Sequence, residues 1–172
     1  VLDDILSGYI RPVALHRLQV RINGRAVEPI ALNDVLFANK NPSAASKYIL
    51  KVGARGESQK SSGIWISTSA GSTAAIRSAG GKIMPIRSKA MQYLVREIFR
   101  EGKKARLLKG ILPYGKSIAI LSQTVGAALF IDGQLPPITV EYGDEITVKN
   151  ANAPLHLLGF NEEKRMRLAS GE

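Results

Sequence analysis

The amino-acid sequence predicts a mainly β fold of packed sheets, and three observations carry that reading. First, Asn23-Gly24 divides 17-RLQVRI-22 from 25-RAVEPI-30. This dipeptide suits the type I′ turn of a two-residue hairpin, where both central positions need positive φ. Second, short apolar runs of strand type recur at 47-KYILKV-52, 64-IWIS-67, 117-SIAILS-122, 127-AALFI-131, 138-ITVEY-142 and 145-EITVK-149. Third, turn signals separate such runs, with Asp132-Gly133 and Gly143-Asp144 punctuating the last of them.

Three segments read otherwise. Residues 72 to 79 suit one short helix, with Ser or Thr hydroxyls to cap its first amides and Gly80-Gly81 to end it. Met91, Leu94, Val95, Ile98 and Phe99 form a helical stripe, yet 92-QYLVREIF-99 equally reads as a strand buried on both faces. The segment 53-GARGESQKSSG-63 is polar, Gly/Ser-rich and loop-like. No internal repeat is present.

A chain of 172 residues is enough for one domain, 1–172, with its own core. With no cysteine, disulfides and thiolate zinc sites are excluded. His16 and His156 are the only imidazoles, too few for a histidine metal centre. The lack of cysteine also fits the cytoplasm or another reducing compartment. No apolar run is long enough for a membrane-spanning helix. The opening VLDDILSGYIRP has no signal-peptide character and no initiating Met, so a piece of a longer protein is expected.

The formal net charge of +10 favours anionic partners, either nucleic acid or phosphate-bearing small molecules. The densest basic stretch, 96-REIFREGKKARLLK-109, has no interleaved stacking platform, and the five tyrosines at 9, 48, 93, 114 and 142 form no pair. A solvated basic face explains it. Nucleic acid is therefore an unlikely partner, although a basic β-rich nucleic-acid module stays open as an alternative.

The stretch 67-STSAGSTAAIRSAGG-81 is almost wholly Ser, Thr, Ala and Gly. At a strand–turn–helix junction, such residues leave amides and hydroxyls open to a ligand, and a helix N-terminus favours negative charge. A tight structural turn would account for it too. It contains no GxxxxGK[ST], GxGxxG or GxSxG pattern.

Four segments in order carry a family resemblance. The run 65-WISTSAGSTAAIRSAGG-81 resembles the (S)TPTGSTAYxxSAGG signature of the NAD kinase family. Upstream, 31-ALNDVLFANK-40 resembles its ALN(D/E)V segment; downstream, 111-ILPYGKSIAI-120 resembles its Pro-led strand pair and 129-LFIDGQ-134 its DGQ turn. The likeness covers roughly residues 15 to 149. The form 61-SSGIWISTSAGSTAA-75, followed by 92-QYLVRE-97, looks most like the plant-type NADH kinase branch, and it favours a strand over a helix at 92–99.

The resemblance implies the β-rich C-terminal domain of that fold, with one short helix after the GSTAA turn. It implies a kinase acting on the adenosine 2′-hydroxyl of NAD or NADH, with ATP or polyphosphate as donor and a divalent metal, Mg expected. A homo-oligomer, dimer or tetramer, is expected as well. The family's GGDGT motif, in its N-terminal domain, does not occur in this chain, so these 172 residues alone are expected to be inactive, with no catalytic residue of their own. A lipid-kinase relative is the other alternative.

For the dinucleotide, the resemblance implies Asn33 and Asp34 on the adenosine half. Asn33 can donate and accept, and Asp34 can accept two bonds from a ribose diol; an Asx turn is the plain alternative. Thr68, Ala70, Gly71, Ser72, Thr73 and Ala74 would form the approach surface, with Ser78 one helical turn on. Ser62 and Ala75 stand where the family usually has Asp and Tyr. Losing that carboxylate would favour a neutral dihydronicotinamide. Trp65 is expected in the core, while Arg77, Arg96, Arg100, Lys103 and Lys104 would contribute positive potential.

Overall fold

The computed structural model describes residues 2–9, 11–99, 105–133, 136–160 and 165–166. Arg100, Lys103 and Lys104 of the basic run, and Gln134 of the DGQ turn, lie outside the described residues. After a short helix α1 (Leu2–Leu6) come β1 (Val13–Leu15), β2 (Leu18–Ile22), β3 (Arg25–Ala31), β4 (Asp34–Asn39), β5 (Ser46–Val52), β6 (Arg55–Ser61) and β7 (Gly63–Ser67). A 3-10 turn (Gly71–Thr73) and α2 (Ala75–Ser78) follow, then β8 (Met91–Arg96), β9 (Lys109–Leu112) and β10 (Ser117–Ser122). The series ends with β11 (Ala127–Ile131), β12 (Ile138–Val140), β13 (Glu145–Asn150) and β14 (Leu155–Leu157).

Two six-stranded antiparallel sheets result. One runs β3-β2-β13-β10-β5-β6 and the other β12-β11-β4-β7-β8-β9, while β1 and β14 pair separately. Alternation along each strand decides what lies between them. Leu18 and Val20, Tyr48 and Leu50, Ile118 and Ile120, and Ile146 and Val148 come from the first sheet. Val35 and Phe37, Ile64 and Ile66, and Met91 and Tyr93 come from the second and join the same cluster. Phe37 and Tyr48 meet edge to face at 5.5 Å. The buried Tyr48 hydroxyl lies 2.8 Å from Ser61 Oγ, so its polar end is satisfied.

The Asn23-Gly24 hairpin forms as expected, with φ of 50° and 79°, and Ile22 faces Arg25 across it. Of residues 92–99, Gln92 to Arg96 resolve in favour of the strand: β8 buries Met91 through Val95 and ends at Arg96. The expected loop at 53–63 is instead β6, paired with β5 from Ser46–Ser61 to Val52–Arg55. As an edge strand with one solvated face it needs few apolar residues, so it reads as a loop. Its polar side chains also close the sandwich edge. Glu57 accepts the amides of Arg106 and Leu107, and Gln59 donates to Leu107 O at 3.0 Å. Trp65 is half-buried, and alternation with Ile64 and Ile66 turns it out of the core cluster.

Gly63 opens β7 with φ of 120°, and a Cβ there would stand 2.3 Å from the Phe37 carbonyl oxygen. Gly63→Ala should therefore destabilise by about 2 kcal/mol or more, since the backbone must shift as well as strain. Chemical denaturation would measure it, and an unchanged midpoint would contradict the packing described.

Candidate functional site

The site is built where β4 and β7 run side by side, with Asp34 opposite Ser67. Beyond Ser67 the chain leaves the sheet and turns over the residues that precede β4. The Thr68 amide donates to Asn33 O at 2.9 Å, and its hydroxyl donates to Leu32 O at 2.6 Å. That hydroxyl in turn accepts the Gly71 amide at 3.0 Å. A Cβ at Gly71 would lie 2.1 Å from Asn33 O. Only glycine allows the two backbones to come so close.

The small residues are thus consumed largely by the chain itself. Ser69 Oγ reaches Ile86 O at 2.9 Å and Ser88 O at 3.0 Å. Ser72 Oγ donates to Ser69 O at 2.7 Å and accepts the Met84 amide at 2.9 Å. Both serines are buried, as is Thr68. At these positions the hydroxyls, and several of the backbone groups, are engaged within the chain. The expected helix over 72–79 shrinks to the 3-10 turn and the four residues of α2, neither with a side-chain cap at its cap position. Ser69 and Ser72 tie the turn to the returning 84–88 segment, which leaves little helix behind the dipole argument.

Opposite the turn, one carboxylate organises the approach to β4. Asp132 Oδ2 accepts the Leu32 amide at 2.7 Å, and Oδ1 accepts those of Asn33 at 2.7 Å and Asp34 at 3.0 Å. Its own amide donates to Asp34 O at 3.0 Å. Asp132 holds φ of 50° at the Asp-Gly turn after β11, which brings its side chain over this segment. The sequence marks the residue through its DGQ turn, but its part here was not foreseen.

With the backbone of 32–34 held from behind, the side chains of Asn33 and Asp34 make no hydrogen bond to any described residue. No Asx turn forms. Asp34 is only 5% exposed, yet the Asp132 carboxylate stands near it. Burial, and next the charge of Asp132, raise the Asp34 pKa to about 6. Such a carboxylate favours hydroxyl donors arriving from outside.

The remaining expected residues divide in two. Ala70 and Thr73 are half-buried and Ala74, Ala75 and Ser78 exposed, along the rim that follows Gly71. Ser62 is not brought to this cluster: it precedes β7, at the strand end away from Thr68, six residues and about 20 Å away along an extended chain. Among the described residues no group of three or more His, Cys, Asp or Glu could hold a metal ion. Asp132, the carboxylate beside Asp34, already receives three amides. Arg165 is a further member that no sequence pattern marked: its guanidinium donates to Ser69 O and to Ser72 Oγ.

A raised folded pKa means that Asp34 adds stability below its unfolded value, about 4, and that this is lost as pH rises through about 6. Asp34→Asn removes that dependence. The variant should be the more stable protein above pH 6, by on the order of 1 kcal/mol after discounting for solvent screening, with the difference fading below about pH 4. Denaturant midpoints of both proteins across pH 4 to 7 would check the sign.

No family model matches the chain. It is 34% identical over 163 residues to a probable NADH kinase of Oryza sativa subsp. japonica, covering 90% of this chain and 50% of that protein. It is 35% identical over 170 residues to an NADH kinase of Arabidopsis thaliana, covering 90% and 51%. An NAD kinase of Methanospirillum hungatei is 30% identical over 158 residues, covering 89% and 56%. The chain spans about half the length of these curated relatives. The fold is shared with yeast NADH kinase complexed with NADH, at a TM-score of 0.83 and 21% identity, over 99% of this chain and 50% of that one. It is shared too with an NAD kinase from Archaeoglobus fulgidus in complex with ATP, at 0.75 and 22%, over 99% and 63%. By sequence and by fold, the chain is a relative of the NAD kinase family, matching its β-rich C-terminal domain, with plant-type NADH kinases among its relatives.

Proposed function

We propose that this chain is the dinucleotide-binding part of an NAD(H) kinase, which phosphorylates the adenosine 2′-hydroxyl to give NADP or NADPH. One observation carries the reading. Asn33 and Asp34 present unengaged polar side chains from a backbone fixed on one side by Asp132 and on the other by Thr68 and Gly71. Asp34 accepts two hydroxyls of a ribose, which replace the water it has lost. Asn33 offers both a donor and an acceptor to the adenine. The exposed Ala74 and Ala75 leave the rim of the turn unobstructed by side chains.

In the reaction the 2′-oxygen attacks the terminal phosphorus of ATP, the bond to ADP breaks, and the hydroxyl proton passes to a base. Positioning and charge neutralisation supply most of such catalysis. The share of this chain is positioning: it holds the adenosine so that one hydroxyl faces the donor. The base and donor-phosphate site belong to a GGDGT-bearing half. ATP brings a divalent metal, for which the described residues offer no ligand set. Self-association completes the reading.

The test is a titration with NADH, exciting Trp65, the single tryptophan, and following transfer to the dihydronicotinamide. Saturable transfer, competed by NAD and little changed by added salt, is expected from the protein that includes this chain. Asn33→Ala and Asp34→Ala should each weaken binding about ten-fold or more, as loss of one or two charge-assisted or neutral hydrogen bonds implies. No saturable transfer, or variants that bind as tightly as the parent, would overturn the assignment.

A further inference from the structure

We infer that Arg165 is a positioning residue for the dinucleotide site, clamping the Ser69–Ser72 turn from the C-terminal segment; the inference rests on the function proposed above. Its Nη2 donates to Ser69 O, to Ser72 Oγ at 3.2 Å and more weakly to Ala70 O at 3.4 Å. Its Nη1 donates to Met84 O at 3.1 Å. One planar group therefore bridges the outgoing turn and the returning 84–88 segment. The contacts span more than eighty residues of sequence, so they report a tertiary clamp and not local turn geometry.

The peptide unit gives the clamp a direction. Because each peptide is planar and trans, a carbonyl held towards Arg165 sends the next N–H the opposite way. Holding Ser69 O therefore orients the Ala70 N–H, which donates to no described residue. Ala70 is half-buried, immediately before the glycine that lies against Asn33. Arg165 thus aims a free backbone donor beside the Asn33–Asp34 edge without touching the ligand itself. The fork of donors is essential: a lysine is a point charge and cannot span acceptors on two chain segments.

The experiment compares the full protein with Arg165→Ala and Arg165→Lys by amide exchange, thermal unfolding and NADH titration. Exchange at Gly71, Ser72 and Ala74, whose amides are bonded within the turn, should rise about ten-fold in both variants while amides of β5 and β10 keep their protection. The Kd for NADH should weaken about ten-fold in both, and added guanidinium should restore Arg165→Ala in part. Unchanged exchange at Gly71, Ser72 and Ala74 overturns the clamp whether or not NADH binds. A uniform rise over all strands also overturns it, because the residue is then only a stabiliser of the fold. A parent protein that binds no NADH sinks the functional reading instead, and the exchange pattern still decides the clamp. Variants that lose the turn's protection yet bind NADH like the parent reject the positioning role.

Discussion

The structure around the site depends on one interaction, the Asp132 carboxylate accepting three successive amides from Leu32, Asn33 and Asp34. Those amides precede and open β4, in the middle of a six-stranded sheet. Without a partner, each would carry the cost of a buried donor. With it, the backbone of 32–34 becomes a rigid ledge. Thr68 and Gly71 then close on that ledge from β7, using the Asn33 carbonyl that faces away from Asp132. On that ledge the Asn33 and Asp34 side chains hydrogen-bond to no described residue.

The same arrangement sets the electrostatics. Asp132 is needed where it is, and burial together with its charge holds the Asp34 carboxyl up to about 6. A buried carboxylate without donors, close to a second carboxylate, works against folding at neutral pH. Nothing in the packing of β4 requires it, since the strand is anchored through Val35 and Phe37 in the core. A ligand with paired hydroxyls relieves that strain in the bound state. Stability and binding thus pull in opposite directions at one residue.

The strands were legible where alternation and turn chemistry agreed. Asn23-Gly24 announced its hairpin, and the runs ending at Val52, Ser122 and Ile131 became strands. Family likeness, more than periodicity, decided β8, because Met91 to Val95 is buried throughout and such a run has no diagnostic period. β6 was illegible for the opposite reason: an edge strand tied down by Glu57 and Gln59 through polar bonds looks like a loop. Small residues at 67–81 admitted two readings, a ligand surface and a tight turn, and the structure displays the turn. Ser69, Gly71 and Ser72 are small because the chain folds against itself there, which no ligand argument predicts. Asp132 and Arg165 act from about 100 residues downstream, a separation at which sequence patterns carry no pairing information.

In the proposed complex Asp34 meets a ligand's hydroxyls. The most direct measurement is the titration of its side-chain carboxyl by carbon NMR, in the free protein and with NADH at saturation. A midpoint near 6 is expected in the free protein, falling towards the ordinary carboxylate range once hydroxyl donors reach it. A midpoint that stays near 6 with NADH bound would contradict that contact.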